Sequence, residues 1–382
     1  MTRTDWPLVS LVFMGGLLAA AQFGKVSLTL PLVAETFARD IPTVSTLVSM
    51  VGLVGLIFGA MAGGLAAGVG PGRTFLAGLV LGGAISLGQA LVPPFGVFAV
   101  TRVAEGFAHL ALVVGGPPLM AAAASDRDRP LVMGLWAVFF GLAFAISAEL
   151  FPVVTGAGGL PLLFGLHGAA LLALAVPLWT RVPRSPMVRP SVDPIAVHRA
   201  IYSRLRTVAP GLGFVCYTFL FIACLTFLPG VLDRPGLGTT LPLVSLATTL
   251  AGGALCRRFA PHHVAAAGFV GTILGMAGLL LGLPGAAHLA FAAMGVVPGA
   301  CFAAIPHFNR DPADRARATG AIAQLGNLGT VTGTPVFALL LFGGAPLLIG
   351  ATMAVSVLGM VLALWAGRAA SGTVERDVID VR

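Results

Sequence analysis

Long apolar runs alternate with short polar clusters along almost the whole chain. A helix rising 1.5 Å per residue needs about 20 residues to cross a bilayer. Walking the chain with that ruler gives twelve candidate runs: residues 8–33, 44–66, 75–92, 95–122, 131–154, 161–178, 208–228, 240–255, 264–283, 286–305, 318–342 and 346–366. The pattern predicts an all-α integral membrane protein of twelve transmembrane helices in two six-helix halves. The halves cover residues 1–180 and 208–382, joined by a basic linker over 181–207. Lys25, the turn residues 39–42 and a second long apolar run follow the first run, and no small-residue cleavage site follows a short apolar core. The first run is therefore read as a mature helix and not a signal peptide.

The polar clusters set the orientation. With the N-terminus in the cytoplasm, 18 basic residues fall on the cytoplasmic side and only Arg39 and Arg234 on the other. That split places both termini in the cytoplasm of a cell's inner (plasma) membrane. Six of the arginines, Arg181, Arg184, Arg189, Arg199, Arg204 and Arg206, lie in the linker, which reads as a solvated positive loop.

Composition agrees with the pattern. Hydrophobic residues make up 57% of the 382 and charged residues only 9%, against about 25% charged in soluble domains. Too few charges remain to cover a water-facing surface, so an ordinary soluble enzyme and a disordered chain are both excluded. The net charge of +8 is scattered between apolar runs and implies no nucleic-acid partner. Cys216, Cys224, Cys256 and Cys301 lie in or beside apolar runs with no CxxC spacing. They read as small apolar residues, not a disulfide or zinc framework.

An internal repeat accompanies the two halves. Gly63-Gly64 before Arg73 recurs as Gly252-Gly253 before Arg257-Arg258, an offset of 189 residues (63 to 252). Arg129 precedes Gly134 as Arg315 precedes Gly320, an offset of 186 (129 to 315). Repeated six-helix halves are a transporter architecture, with substrate bound near the bilayer midplane.

These features resemble the major facilitator superfamily along essentially the whole chain. The glycine-rich turn keeps Gly63, Leu65 and Gly70 of the family's first motif but carries Ala67 in place of its acid and Gly68 in place of a base. Arg102-Val103-Ala104-Glu105-Gly106 is similar to the fourth-span motif, with Glu105 where the family has glutamine. The glycine-proline antiporter signature is missing from span five. Gln22-Phe23-Gly24-Lys25 and the segment from Pro130 to Trp136 are similar to the cyanate and nitroimidazole permease-like group. The resemblance implies a major facilitator fold in which span one lines a central cavity.

Two cations stand inside apolar spans. Lys25 is the chain's only lysine, and Arg102 begins about 10 Å from the outer end of span four. Buried charges of this kind need partners and usually mark a pathway. Arg102, Glu105 and His109 follow i, i+3, i+7 spacing and share one helical face. An anion must lie near two cations at similar depth. A substrate carboxylate would suit, held by the guanidinium fork and the ammonium. Protein carboxylates are the alternative, with Lys25 paired to Glu149 and Arg102 to Glu105. Glu105 is the first candidate proton carrier and His109 the second, while His167, in a span without an acid, reads as structural.

Gln22, Tyr217, Gln324 and Asn327 are candidates to orient a small polar ligand. The leading expectation is a secondary transporter of a small organic anion, coupled to protons and working by alternating access. It would act as a monomer in the lipid bilayer with no cofactor and no resident metal. Proton-driven drug or metabolite efflux would require an acidic, apolar cavity instead. Copper uptake would require closely spaced Met or His ligands, whereas Met276 and Met294 stand alone. A non-transporting sensor built on the same fold would have no need of the intramembrane charges. No hydrolase triad or Walker loop occurs, so accumulation would draw on an ion gradient.

Overall fold

The computed structural model describes residues 3–182 and 193–379. Arg184, Arg189 and Arg382 of the basic inventory lie outside the described residues. Among the described residues there is no β-strand. Nine helical stretches among them are long and apolar enough to cross a membrane. The chain divides into two compact units, Met1–Gly55 with Met61–Val192, and Leu56–Ala60 with Asp193–Arg382.

The first unit contains α1 (Trp6–Ser27), α2 (Leu30–Phe37), most of α3 (Ile41–Val69), α4 (Pro71–Ala90), α5 (Phe95–Ala123), α6 (Arg129–Ala137) and α7 (Phe139–Arg181). Two of the chain's few acids begin helices here. The Asp5 carboxylate accepts from the Leu8 amide at 3.0 Å, and that of Asp40 from the Thr43 amide at 3.1 Å. A proline follows each cap inside the first turn, where its missing N–H costs nothing.

Two of the runs predicted for this unit are interrupted. Residues 8–33 form α1 and α2, separated at Leu28–Thr29, where Thr29 has left the helical region. Residues 131–154 are shared between α6 and α7 across Val138. The 43-residue α7 would be about 65 Å long if straight, twice a bilayer core. It is two helices joined at Gly158–Gly159, where Gly159 takes φ +63°, a left-handed conformation that glycine adopts without strain.

Within this unit α4 packs on α5 and α7, and α1 on α5 and α7. Toward the start of α1, Val9, Val12, Phe75, Leu79, Leu112, Met120 and Trp136 form a buried apolar cluster. Above it the same helices enclose charged residues.

The second unit contains α8 (Pro194–Tyr202), α9 (Leu205–Val231), α10 (Leu237–Leu255), α11 (Pro261–Leu280), α12 (Ala286–Phe308), α13 (Pro312–Leu339), a 3₁₀ turn (Leu340–Gly343) and α14 (Gly344–Ile379). Here α9 packs on α13 and α14, α12 on α10 and α11, and α11 on α14. The basic linker is not loop throughout, because α8 is a helix started by the Asp193 carboxylate, which accepts from the Ile195 amide at 2.9 Å. On α13, Asp314 gathers Arg317 at 2.6 Å, Arg206 at 3.0 Å and Arg204 at 3.3 Å. The linker's basic end is thereby fastened to the second unit.

Candidate functional site

The charged cluster begins at the break between α1 and α2. Lys25 lies in the last turn of α1, where a cation meets the negative end of the helix dipole. The Thr29 hydroxyl donates back to the Lys25 carbonyl and closes that end. The side chain runs inward and is fully buried. Its three ammonium protons find three acceptors: Glu105 Oε1 at 2.7 Å, Ser86 Oγ at 2.9 Å and Gln89 Oε1 at 3.1 Å. The ammonium also stands 4.5 Å from the centre of the Phe164 ring.

Arg102 enters from α5 and is also fully buried. Its Nη1 pairs with Glu105 Oε2, one turn further along α5. The Nε donates to the Leu47 carbonyl at 3.0 Å and Nη2 to the Gln22 carbonyl at 2.8 Å. Gly106 permits this reach. A Cβ at position 106 would lie 2.5 Å from the Val51 carbonyl oxygen of α3, so only glycine lets α5 approach α3 this closely.

Glu105 therefore lies between the two cations and completes its coordination with Gln89 Nε2 at 3.1 Å. Two positive charges and one negative leave a buried net charge of +1. Each ion removed from water costs several kcal/mol before pairing. The carbonyls of Leu47 and Gln22 and the side chains of Ser86 and Gln89 spread the surplus charge.

A second line of polar groups adjoins the cluster. His167 Nδ1 lies 3.1 Å from Ser86 Oγ, and His167 Nε2 lies 3.0 Å from the Leu18 carbonyl. The Ser86 hydroxyl is also 2.9 Å from the Phe164 carbonyl. Both amide atoms of the Gln22 side chain are buried without a hydrogen-bond partner, and Nε2 would lie 2.9 Å from a Cβ added at Gly82. Buried amides are rarely left unpaired.

The sequence expectations divide accordingly. Lys25, Arg102, Glu105 and Gln22 come together. The pairing of Lys25 with Glu149 does not form in this structure: Lys25 takes Glu105 and fills its remaining donors with Ser86 and Gln89, while Glu149 is on an exposed face of α7. His109 shares the α5 face but bonds the Ala19 carbonyl at 3.0 Å and meets Phe23 edge-on at 4.9 Å.

Tyr217, Gln324 and Asn327 belong to the second unit. Gln324 is held by α8, with Tyr202 Oη donating to Oε1 at 2.8 Å and His198 Nε2 lying 2.9 Å from Nε2. Asn327 bonds back to the Ala323 carbonyl at 2.8 Å, and Tyr217 lies in an aromatic row with Phe214 and Phe221. No group of three or more His, Cys, Asp or Glu among the described residues could hold a metal ion.

Sequence reasoning missed Ser86 and Gln89. The signal was present, because they are the two polar side chains of residues 75–92 and stand at i, i+3 on one face of α4.

The family model of the Major Facilitator Superfamily matches residues 12–309. The chain belongs to the Major Facilitator Superfamily. This member's helices also align with solved structures of transporters. A bacterial homologue of the human lysosomal transporter Spinster, inward-facing and unoccupied, matches with a TM-score of 0.68 and 13% identity over 95% of this chain and 96% of that one. The human organic anion transporter MFSD10 (TETRAN) matches with a TM-score of 0.70 and 17% identity over 93% and 98%. At such identities the likeness shows the fold alone. No curated protein matches the superfamily member by sequence.

Proposed function

We propose that this superfamily transporter carries a small organic anion together with a proton by alternating access, with Lys25, Arg102 and Glu105 at the centre of the cycle. The observation that carries the reading is the fully buried arrangement of two cations around one carboxylate. Protonation of Glu105 removes the negative charge that Lys25 and Arg102 share. A substrate carboxylate then replaces it, bidentate on the guanidinium and point-charged on the ammonium. The buried net charge is +1 before the exchange, and it is +1 again once one proton and one monovalent anion have entered. The step thus avoids a large change in buried charge, which low-dielectric surroundings penalise.

Gln22, with donor and acceptor both unpaired, would orient a polar substituent of the anion. The organic-anion substrate named for MFSD10 is consistent with this class. Symport, monomeric action, an inner-membrane location and cytoplasmic termini complete the proposal. The location and orientation rest on the asymmetric distribution of arginine. His109, Tyr217 and Asn327 remain candidates for the walls of the path, and Glu149 for a gate that forms in another state of the cycle.

Thermal unfolding of detergent-purified protein with acetate, lactate, benzoate, succinate and hydrophobic cations tests the reading. A ligand that binds the native state raises the melting temperature by mass action. Monocarboxylates are expected to stabilise the protein more at pH 5 than at pH 8, and Lys25→Gln to abolish the effect. Stabilisation by cations alone, unchanged in Lys25→Gln, would contradict an anion site and favour efflux.

A further inference from the structure

We infer that His167 is a second seat for the transported proton, joined to Glu105 through Lys25 and Ser86. The inference rests on the proton-coupled reading of the same cluster and adds a residue that its sequence context marks as structural. The chain of contacts is continuous. Glu105 Oε1 to Lys25 Nζ is 2.7 Å, Lys25 Nζ to Ser86 Oγ is 2.9 Å, and Ser86 Oγ to His167 Nδ1 is 3.1 Å.

The chemistry at each end gives the chain a direction. A carbonyl only accepts, so His167 must carry a proton on Nε2 to bond Leu18 at 3.0 Å. In the neutral ring Nδ1 is then an acceptor, and the Ser86 hydroxyl supplies its proton. When the ring is an imidazolium, Nδ1 donates to Ser86, and the hydroxyl turns to the Phe164 carbonyl, already 2.9 Å away. Ser86 accepts from Lys25 in both states. Both positions of its single proton therefore have an acceptor in place, as a relay requires.

The transfer balances. Ser86 gives its proton to His167 Nδ1 and takes one from the Lys25 ammonium, and the neutral amine then turns its freed lone pair to Glu105 and takes the carboxyl proton. Glu105 ends as carboxylate, Lys25 as ammonium, Ser86 as hydroxyl and His167 as imidazolium, with the cluster's charge unchanged. The groups facing His167 are Lys25 from α1, Ser86 from α4, and Arg102 and Glu105 from α5. Two cations oppose the imidazolium and one carboxylate favours it. His167 therefore takes the proton when Glu105 is ionised. The Leu18 carbonyl is seven residues before Lys25 on α1, about 10 Å along its axis.

The test uses the full chain in lipid nanodiscs with ¹⁵N-labelled histidine and ¹³C-labelled glutamate and no added anion, titrated from pH 8 to pH 4. His167 signals are identified by their loss in His167→Gln. The expected result is an Nε2–H ring at pH 8 whose two nitrogens both become protonated by pH 4. Ser86→Ala should lower the midpoint by about one pH unit or more, and Ser86→Thr, which keeps the hydroxyl, should restore it. A ring that stays neutral to pH 4, whatever Glu105 does, overturns the relay, as does an unchanged midpoint in Ser86→Ala. Because no anion is present, this failure leaves the anion site standing. Conversely, if monocarboxylates fail to bind, the titration of His167 still decides for or against the relay.

Discussion

Among single residues, the site depends on who reaches whom, and that depends on close backbone approach. Gly106 shows it most directly, because the obstacle to a Cβ there is the Val51 carbonyl, which cannot rotate away. Gly106→Ala should destabilise the protein by about 1–3 kcal/mol through overpacking, read as a lower melting temperature, and weaken monocarboxylate binding by moving Arg102 away from Leu47. An unchanged melting temperature would show that α5 and α3 can separate freely. Lys25, Arg102 and Glu105 were legible in the sequence, since charges stand out in apolar spans. Their pairing was not. Counting residues along a helix gives depth but not the direction a side chain takes, and on depth alone Glu149 and Glu105 were both available to Lys25. Ser86 and Gln89 needed the opposite reasoning, where two modest polar residues matter because of the cation between them.

Among the helices, two devices hold the cluster in register. One is the break after α1, which ends the helix two residues beyond Lys25. The other is a clamp at the far end of the same helix, outside the apolar spans. Thr4 Oγ1 donates to Asp128 Oδ2 at 2.6 Å, the Ser125 amide donates to Thr4 Oγ1 at 3.0 Å, and the Asp5 amide donates to the Ala123 carbonyl at 2.9 Å. The Thr4 hydroxyl, helped by Ser125 and Arg127, holds the Asp128 carboxyl below the usual carboxylate range. A carboxyl depressed in the folded state adds stability above its unfolded value and loses it as pH falls through the folded one. Asp128→Asn should therefore lower the melting temperature at pH 7, with the gap to the parent protein shrinking as pH falls from about 5 toward 3. A gap independent of pH would assign the effect to something other than the ionised clamp. The helices themselves were legible from apolar runs about 20 residues long. Their interruptions were less so, because a run's hydrophobicity continues across Leu28–Thr29 and Val138, and only Pro31, Pro130 and the Gly158–Gly159 pair hint at the breaks.

Across the whole molecule, the low charge, the repeat and the fourth-span motif pointed to a transporter family that the sequence match then established. The ionic groups inside the apolar runs are unequally shared. The first unit buries Lys25, Arg102 and Glu105, whereas Gln324 of the second is engaged by α8. That engagement was hidden from the sequence because a proline-rich basic linker gives little sign of a helix that returns to bond a distant glutamine. In the proposed cycle, one proton and one anion together replace the Glu105 carboxylate between Lys25 and Arg102. Proton uptake on anion binding reports that exchange, read with a pH indicator in weakly buffered nanodiscs and using whichever of acetate, lactate or benzoate binds best. About one proton should be taken up per anion bound at a pH where Glu105 starts ionised. Glu105→Gln should still bind the anion, with no uptake and no dependence of affinity on pH. Anion binding without proton uptake in the parent protein, or uptake that persists unchanged in Glu105→Gln, would contradict the exchange at Glu105.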